Sequence, residues 1–259
     1  MTTTEAPGRR IDVVLVVGGK YHDFDYARLE LLGLLFEHEE FRVRVQPDYE
    51  DHAAITAAEI LISYTCDVRP SLDAQRAIRA WVEGGGRWVA LHATSSVLEP
   101  TDDGWAAPAM PIWADTLGSQ FIAHPPIAPY TVRHVADPAS DVAWLVDGVE
   151  PFDATDELYL NDYPDRDALV PLLATTYQGP ARGFARGDWA DADPDHLVAY
   201  LRPLGDGAVL YNTLGHCRGH YDMVPVKDYY PSVDRCSWEL PVFHELLRRS
   251  FRWARGLDA

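Results

Sequence analysis

Two hydrophobic periodicities alternate along the first 92 residues. Continuous runs of β-branched and other apolar residues, such as IDVVLVV at 11–17, are typical of strands buried on both faces of a parallel sheet. Between them, apolar positions recur at helical spacing, and in 71–83 they follow the capping residue Ser71 and end at a run of three glycines. The pattern predicts strands at 11–17, 41–46, 59–65 and 87–92, and helices at 25–38 and 71–83.

The second half of the chain follows a different pattern. Residues 99–128 are rich in Pro, Asp and Trp and predict a long decorated loop with a short helix near 111–118. The strand-like segments that follow are mostly too close together for crossover helices, so this half is expected to be partly antiparallel. These strands are predicted at 130–135, 157–161, 169–177, 197–201 and 208–214, before a terminal helix at 239–255.

This order of elements predicts one elaborated α/β domain. Alternating strands and helices form a doubly wound, mostly parallel sheet, to which the later strands add antiparallel neighbours. The polar residues 1–10 are expected to form a flexible arm, and 11–256 a single domain. The sequence has no internal repeat and no linker, so a second domain is not expected.

Charge and cysteine content restrict the environment and the partners. The formal net charge of -18 lacks the basic footprint that nucleic acids and anionic membranes require, so neither is an expected partner. The three widely spaced cysteines form no CxxC pair, which fits a reducing compartment. The polar amino terminus does not resemble a signal peptide, and no run of 18 apolar residues occurs. A cytoplasmic protein is therefore expected, with homo-oligomerisation left open.

Several common catalytic motifs are missing from the sequence. Gly19-Lys20 is not part of a P-loop, because Val14 and Tyr21 replace the first glycine and the Ser/Thr. The glycines at 84–86 precede a strand rather than a helix, so they do not form a dinucleotide loop. There is no GxSxG elbow and no HExxH pair. Phosphotransferases, Rossmann dehydrogenases, α/β-hydrolases and common zincins are thus not leading candidates.

Polar residues at the predicted carboxyl ends of strands are the candidate site, since ligands of open α/β sheets bind there. His22 and Asp23 follow strand 11–17, His92 ends strand 87–92, and His216 follows strand 208–214. Two chemistries remain open: a divalent metal such as zinc held by histidines and a carboxylate, or general acid–base catalysis without metal. The competing structural interpretations are that His22 caps the following helix and that His92 is a buried neutral histidine with its hydrogen bonds satisfied. The middle of the chain adds His124, Glu157 and Tyr159, the last as a stacking face for a sugar ring.

Six separated motifs give the chain a family resemblance. It resembles the ThuA-like (trehalose utilisation) family over about residues 11–256, with the motifs in the family's order. They are VVLVVGGKYHD, AIRAWVEGGGRWVALHA, LGSQFIAHPP, DELY, GDGAVLYNTLGH and LLRRSFRWARG.

The resemblance implies a flavodoxin-like three-layer sandwich similar to class I glutamine amidotransferases. Those enzymes carry a nucleophilic cysteine at a turn that reads LHATSS here, around His92, so glutaminase activity is not expected. His216 takes a place comparable to that of the amidotransferase histidine. The family's recurring polar positions correspond to His22, Asp23, His92, His124, Glu157 and His216. The chain departs from the family in 99–112, 178–195 and 217–238, which are expected to line the pocket.

The leading hypothesis is an enzyme that acts on a sugar or an oxidised (keto) sugar. His92, His216 and Glu157 are the predicted catalytic residues, and His92, His124 and His216 the predicted ligands if a metal is bound. The residues predicted to bind the carbohydrate are His22, Asp23, His124 and Tyr159. Two alternatives stay open: a non-catalytic carbohydrate-binding or regulatory module, and a metal-dependent hydrolase of another small molecule.

Overall fold

The amino-terminal half alternates strands with helices. In the computed structural model, residues 9–220 and 232–256 are described. The strands of this half are β1 (Ile11–Gly19), β2 (Phe41–Gln46), β3 (Ile60–Cys66) and β4 (Arg87–Leu91). The helices are α1 (Phe24–Leu35), α2 (His52–Thr56) and α3 (Leu72–Glu83). The side chains of Asp23 and Ser71 cap α1 and α3 by accepting a backbone N–H three residues on.

The remaining half is dominated by strands. It contains β5 (Glu99–Thr101), β6 (Gly104–Ala106), α4 (Pro111–Leu117), β7 (Gln120–Ala123), β8 (Ala128–His134), β9 (Phe152–Asp156), β10 (Leu160–Asp162), β11 (Val170–Thr176), β12 (Asp195–Leu204), β13 (Gly207–Asn212) and α5 (Pro241–Arg255). The short helix near 111–118 and the terminal helix are therefore confirmed.

Nine of the strands in the described residues form one sheet, in the order β2-β1-β3-β4-β13-β12-β11-β8-β9. The first five are parallel to one another, in the flavodoxin-like order 2-1-3-4-5 with β13 in the fifth position. The other four continue the sheet by antiparallel pairing. The predicted fold class is confirmed. The topology also brings the carboxyl ends of β1, β4 and β13 to the same edge.

Helices cover both faces of the parallel part. Val13, Leu15 and Val17 of β1 belong to a core shared with α1 and α5, whereas Val14 and Val16 belong to a core shared with α2, α3 and α4. Successive side chains of a strand point to opposite faces, so a continuous apolar run is what a sheet between two helical layers requires. This arrangement is the expected three-layer sandwich.

One predicted strand is wrong in a way that matters for the site. The segment 157–161 was expected to be a strand, but β9 ends at Asp156 and β10 begins only at Leu160. The Oδ1 atom of Asp156 accepts the N–H of Glu157 at 2.7 Å, which turns the chain out of the β8–β9 ladder. Residues 157–159 therefore form a connection at the edge of the sheet instead of a strand.

Other boundaries differ more modestly. Strand 87–92 ends one residue early because His92 adopts a positive φ of 43° and starts a short 3₁₀ turn. Helix α2, the β5–β6 hairpin, β7 and β9 were not predicted, and α5 starts at Pro241 after a separate 3₁₀ turn at Cys236–Glu239. Most of the predicted arm at 1–10 lies outside the described residues, and the domain boundaries stay a prediction. Among the described helices, none has the length and apolar character needed to cross a bilayer.

Candidate functional site

Three histidines and one glutamate converge where β1, β4 and β13 end. One ligand atom from each of His22, His92, Glu157 and His216 can be chosen so that all four lie within 4.8 Å of one another. All four residues are buried. They come from four separate segments. In the sheet β4 and β13 are neighbours and β1 lies beyond β3, so three of these segments leave the same edge. This is the sheet edge at which the sequence predicted the site.

His92 is fixed by its backbone and by its ring. It is fully buried, and its φ of 43° is a left-handed conformation that a side chain of this size rarely adopts. The ring donates Nδ1–H to the carbonyl oxygen of Thr213 at 2.8 Å, while the hydroxyl of Tyr211 donates to the carbonyl of His92 at 2.6 Å. Because a carbonyl can only accept, Nδ1 carries the proton and Nε2 keeps a lone pair directed at the cluster.

His22 is oriented in the same manner. Its Nδ1–H donates to the carbonyl oxygen of Lys20 at 3.2 Å, within a turn in which Tyr21 has a φ of 71°. The free Nε2 atom lies 2.9 Å from Nε2 of His92 and 3.1 Å from Nδ1 of His216. The ring also packs edge-on against Tyr64, which limits its rotation. His22 therefore occupies the middle of the three imidazoles.

His216 and Glu157 complete the group. Nδ1 of His216 lies 3.4 Å from Oε2 of Glu157, and the same oxygen lies 3.7 Å from Nε2 of His92. The other oxygen, Oε1, lies 3.3 Å from Nε2 of His124. Nε2 of His216 is buried, and no hydrogen-bond partner for it occurs in the part of the chain that the structure describes. The carboxylate thus joins the buried cluster to a more exposed histidine.

Burial and mutual charge set the protonation of the cluster. Burial lowers the pKa of His92 to about 4, and burial together with the neighbouring imidazoles lowers the pKa of His22 well below its ordinary value. Burial alone would raise the pKa of Glu157, but His124, His216 and His92 outweigh it and hold that pKa well below its usual range. For His216, burial would lower the pKa, but the charge of Glu157 prevails and raises it.

The donor set fits a divalent metal ion of the zinc type. Both rings donate Nδ1–H to backbone carbonyls and burial lowers the pKa of both, so the lone pairs of the Nε2 atoms of His22 and His92 face each other across 2.9 Å. Zinc binds imidazole nitrogen at about 2.0–2.1 Å, which places neighbouring ligand atoms of a tetrahedral site about 3.3 Å apart. The four separations along the ring of ligand atoms range from 2.9 to 3.7 Å. The side chains present could therefore hold such an ion after small adjustments.

The structure brings most of the predicted site residues together. His92, His216 and Glu157, the predicted catalytic residues, all belong to the cluster. His22, predicted to bind substrate, is also a member of the possible ligand set, whereas His124, predicted as a metal ligand, touches the cluster through the outer oxygen of Glu157. The roles themselves stay predictions.

Tyr159 and Asp23 have different surroundings. The hydroxyl of Tyr159 lies 3.4 Å from Nε2 of His92, and its ring is buried against Phe121. Asp23 lies outside the cluster. One of its oxygens caps α1 by accepting the N–H of Tyr26, and the other lies 3.0 Å from the guanidinium of Arg235. Asp23 thus anchors the loop that carries His22.

Two of the segments in which the chain departs from the family, 99–112 and 178–195, meet beside His124. Trp105, from 99–112, forms a β-bridge with Phe184, from 178–195. The Phe184 ring packs against His124 at 5.0 Å between centroids, so these segments do reach the outer side of the cluster. In the third segment, 217–238, the described ends are joined by the ion pair of Arg218 and Asp234, while the tyrosines at 221, 229 and 230 lie outside the described residues.

Sequence reasoning missed Asp156, which contacts the backbone of two cluster residues. The signal was present: an Asp next to a candidate Glu, at the end of an apolar-alternating segment. The incorrect strand at 157–161 obscured it, because residue 156 then came before the start of a strand. In the structure Asp156 is the last residue of β9, at the edge where the site lies.

Comparison with known proteins finds one matching family and several solved structures of similar fold. The sequence profile of the ThuA family, described as trehalose utilisation, matches residues 13–229. None of the curated proteins compared with the chain matches it significantly. A putative ThuA-like protein from Bacteroides uniformis has a TM-score of 0.64 at 15% identity, with 100% of this chain and 97% of that one covered. One from Parabacteroides merdae has a TM-score of 0.60 at 15% identity, with 97% and 92% covered.

A further solved structure is larger than the chain. The β-galactosidase from Rahnella sp. R3 has a TM-score of 0.55 at 12% identity, and the match covers 96% of this chain but 32% of the galactosidase. At these identities the solved structures show the fold alone. The profile match extends over most of the sequence and includes all four cluster residues. The chain therefore belongs to the ThuA, or trehalose utilisation, family.

Proposed function

We propose that this chain is a metal-dependent enzyme that acts on a sugar or an oxidised (keto) sugar. The observation that carries the proposal is the buried cluster of His22, His92, His216 and Glu157, whose ligand atoms converge within 4.8 Å. Two neutral imidazoles with facing lone pairs are unfavourable on their own, and a cation between them relieves the repulsion. The carbohydrate class rests on the family's description as trehalose utilisation.

A small, uncharged substrate fits the electrostatics. The chain carries 40 acidic against 22 basic residues, and a net charge of -18 disfavours anionic ligands. An ion held by the histidines would supply Lewis acidity toward a carbonyl or hydroxyl oxygen and lower the pKa of water at the site. A keto sugar offers both kinds of oxygen.

The chain's own residues would handle protons and exclude water. Oε2 of Glu157 faces the cluster and would ligate the ion, so the outer oxygen Oε1, which lies 3.3 Å from Nε2 of His124, is the proposed proton acceptor. His124 is less buried than the other three histidines, so it offers a route for the proton toward solvent. The buried rings of Tyr159 and Phe121 close the site on the side next to His92. Proton transfer of this kind serves hydrolysis, elimination and isomerisation alike.

The experiment combines metal analysis with turnover. Purified protein is stripped with a chelator, reloaded with Zn²⁺, Co²⁺ or Mn²⁺, and analysed for metal per chain. It is then incubated with glucosides, trehalose and their 3-keto derivatives, with products followed by NMR. We expect one ion per chain and a turnover that requires it. His92→Ala and His216→Ala should lose both, whereas His52→Ala, in α2 away from the cluster, should keep both.

Three results would overturn the proposal in different ways. Sugar binding without product would favour a non-catalytic carbohydrate-binding module. Turnover that is unchanged by chelation and reloading would favour metal-free acid–base catalysis by the same residues. Metal-dependent turnover of a non-carbohydrate substrate alone would favour a hydrolase of another small molecule.

A further inference from the structure

Asp156 is a buried carboxylate whose hydrogen bonds are all to backbone amides. It is 1% exposed, and among the described residues no Lys, Arg or His nitrogen pairs with it. Oδ1 accepts the N–H of Glu157 at 2.7 Å and that of His216 at 3.0 Å. Oδ2 accepts the N–H of Gly215 at 2.9 Å and that of Ser237 at 3.2 Å. Four charge-assisted bonds compensate for the burial of the charge.

These four amides belong to the segments that present the cluster. Glu157 and His216 are themselves members of the cluster, although 59 residues separate them in the chain. Gly215 directly precedes His216, and Ser237 lies in the 3₁₀ turn that packs beside it. One side chain thus ties together two of the four converging residues at their backbones.

The peptide groups around Gly215 are held from two directions. Its N–H is bound by Asp156, while its carbonyl oxygen accepts the indole N–H of Trp238 at 2.7 Å and the hydroxyl of Tyr64 at 2.8 Å. This leaves the Gly215–His216 peptide little freedom to rotate. Among the described residues, Asp156 is the carboxylate that accepts the backbone N–H groups of both Gly215 and His216, so it holds the backbone from which the His216 ring reaches Glu157.

We infer that Asp156 is a positioning residue, which holds His216 and Glu157 at the separation at which both can ligate one divalent cation. The inference deepens the proposed function and rests on it for the identity of the ligand. Asp156 would not ligate an ion held by these residues, since each of its oxygens already accepts two backbone N–H groups. Groups that orient metal ligands typically contribute about 10–100-fold to affinity.

The test substitutes Asp156→Asn and compares it with Asp153→Asn, the same change three residues earlier at an exposed position of β9. An amide group has the size of the carboxylate, but its NH₂ group would face two backbone N–H groups. Because all of these are hydrogen-bond donors, two hydrogen bonds are lost and the backbone N–H groups are repelled. We expect Co²⁺ and Zn²⁺ to bind D156N about 10–100-fold more weakly in a competition with a chromophoric chelator. The d–d spectrum of bound Co²⁺ should change as well, and D153N should match the parent protein.

A second readout needs no metal. In the metal-free full-length protein, the imidazole ¹⁵N and ¹H signals of His216 report on its ring environment and tautomer. Positioning by Asp156 predicts that D156N shifts them and D153N does not. If D156N fails to fold, Asp156→Glu serves instead: it keeps the charge but moves the carboxylate by one methylene, so it should also weaken Co²⁺ binding.

The outcomes separate this inference from the proposed function. A parent protein that binds no Co²⁺ or Zn²⁺ overturns the metal centre, and the ring signals of the metal-free variants then decide the role of Asp156. Unchanged ring signals in D156N would overturn the inference. So would a D156N variant that melts at a lower temperature but keeps the Co²⁺ affinity and spectrum of the parent protein, because Asp156 would then have a purely structural role.

Discussion

The Nε2 atoms of His22 and His92 face each other across 2.9 Å, while each ring donates its Nδ1–H to a backbone carbonyl. Neither nitrogen has a proton to offer the other unless one ring becomes charged. Burial lowers the pKa of both rings, so protonation is an unfavourable way to relieve the contact. A bound cation relieves it without a proton, which leads to the first prediction.

Addition of Zn²⁺ or Co²⁺ to chelator-treated protein should raise its melting temperature. At a metal concentration of 100 times Kd, binding to the folded state alone adds about 2.7 kcal/mol. For a chain of this size that corresponds to an increase of about 5–10 °C. The shift should vanish in His22→Ala and persist in His52→Ala, measured by scanning calorimetry. A melting temperature that no divalent ion changes would contradict a metal centre at these four residues.

The sequence predicted the edge at which the site lies better than the contacts within it. His92 and His216 were identified because continuous apolar runs mark buried parallel strands, and ligands bind at the carboxyl ends of such strands. The order of the parallel strands then determines that those ends are adjacent. Local patterns are sufficient for this prediction, because a continuous apolar run within a strand indicates that both faces of that strand are buried.

What the sequence could not predict depends on long-range contacts. Residues 152–156 pair with β8 and residues 160–162 with β7, and the carboxylate of Asp156 binds the connection between them; none of these contacts is visible in the local alternation. The 2.9 Å contact of His22 with His92, 70 residues away in the chain, is also not visible in the local pattern, and the predicted role of His22 in binding substrate stays a prediction. The positive φ of His92 is likewise imposed by surrounding structure rather than by residue type.

Gly215→Ala should destabilise the protein and weaken the site. Gly215 has a φ of 111°, and a Cβ atom there would lie 2.9 Å from Cζ of Phe243 in α5. Backbone strain and overpacking together are expected to lower the free energy of unfolding by about 2–4 kcal/mol. The displaced peptide also carries the N–H bonded to Asp156, so affinity for Co²⁺ should fall. Urea unfolding and Co²⁺ titration measure the two effects.

Gly148 provides the matched control for that substitution. It also has a positive φ, of 68°, but a Cβ atom would have nothing within 4 Å. Gly148→Ala should therefore cost only the conformational strain of about 1–2 kcal/mol and leave Co²⁺ affinity unchanged. Equal losses of stability in the two variants would mean that the contact with Phe243 is relieved without cost.

Asp115 should make the free energy of unfolding depend on pH in the acidic range, below about pH 4. It accepts from the guanidinium of Arg79 in α3 and, at 3.0 Å, from that of Arg202 in β12. Burial would raise the pKa of Asp115, but the two arginines outweigh it and lower the pKa. A lowered folded-state pKa contributes stability that is present above the unfolded value of about 3.9 and is lost as the pH falls through the folded value.

Asp115→Asn isolates this contribution. At pH 7 the variant should be less stable than the parent protein by about 1 kcal/mol, because the ion pairs are partly exposed. The difference should shrink as the pH is lowered below about 4, because the unfolded parent chain then takes up a proton that the folded carboxylate still resists. Urea unfolding at pH 7, 5 and 3.5 measures it. A difference that stays constant across this range would contradict the assignment to the ionised carboxylate.

The three cysteines should be inert toward alkylation at neutral pH, and glutamine should not be hydrolysed. The turn after β4 carries His92, and its four residues, His92–Ser95, include no thiol. Burial raises the pKa of Cys217 to about 12 and raises those of Cys66 and Cys236 as well, so the thiolate needed for attack is scarce. Iodoacetamide at pH 8, followed by mass spectrometry, should label the buried Cys66 and Cys217 only after unfolding, and no glutamate should form from glutamine. Rapid labelling of Cys66 in the native protein would instead reveal an activated thiol beside the cluster.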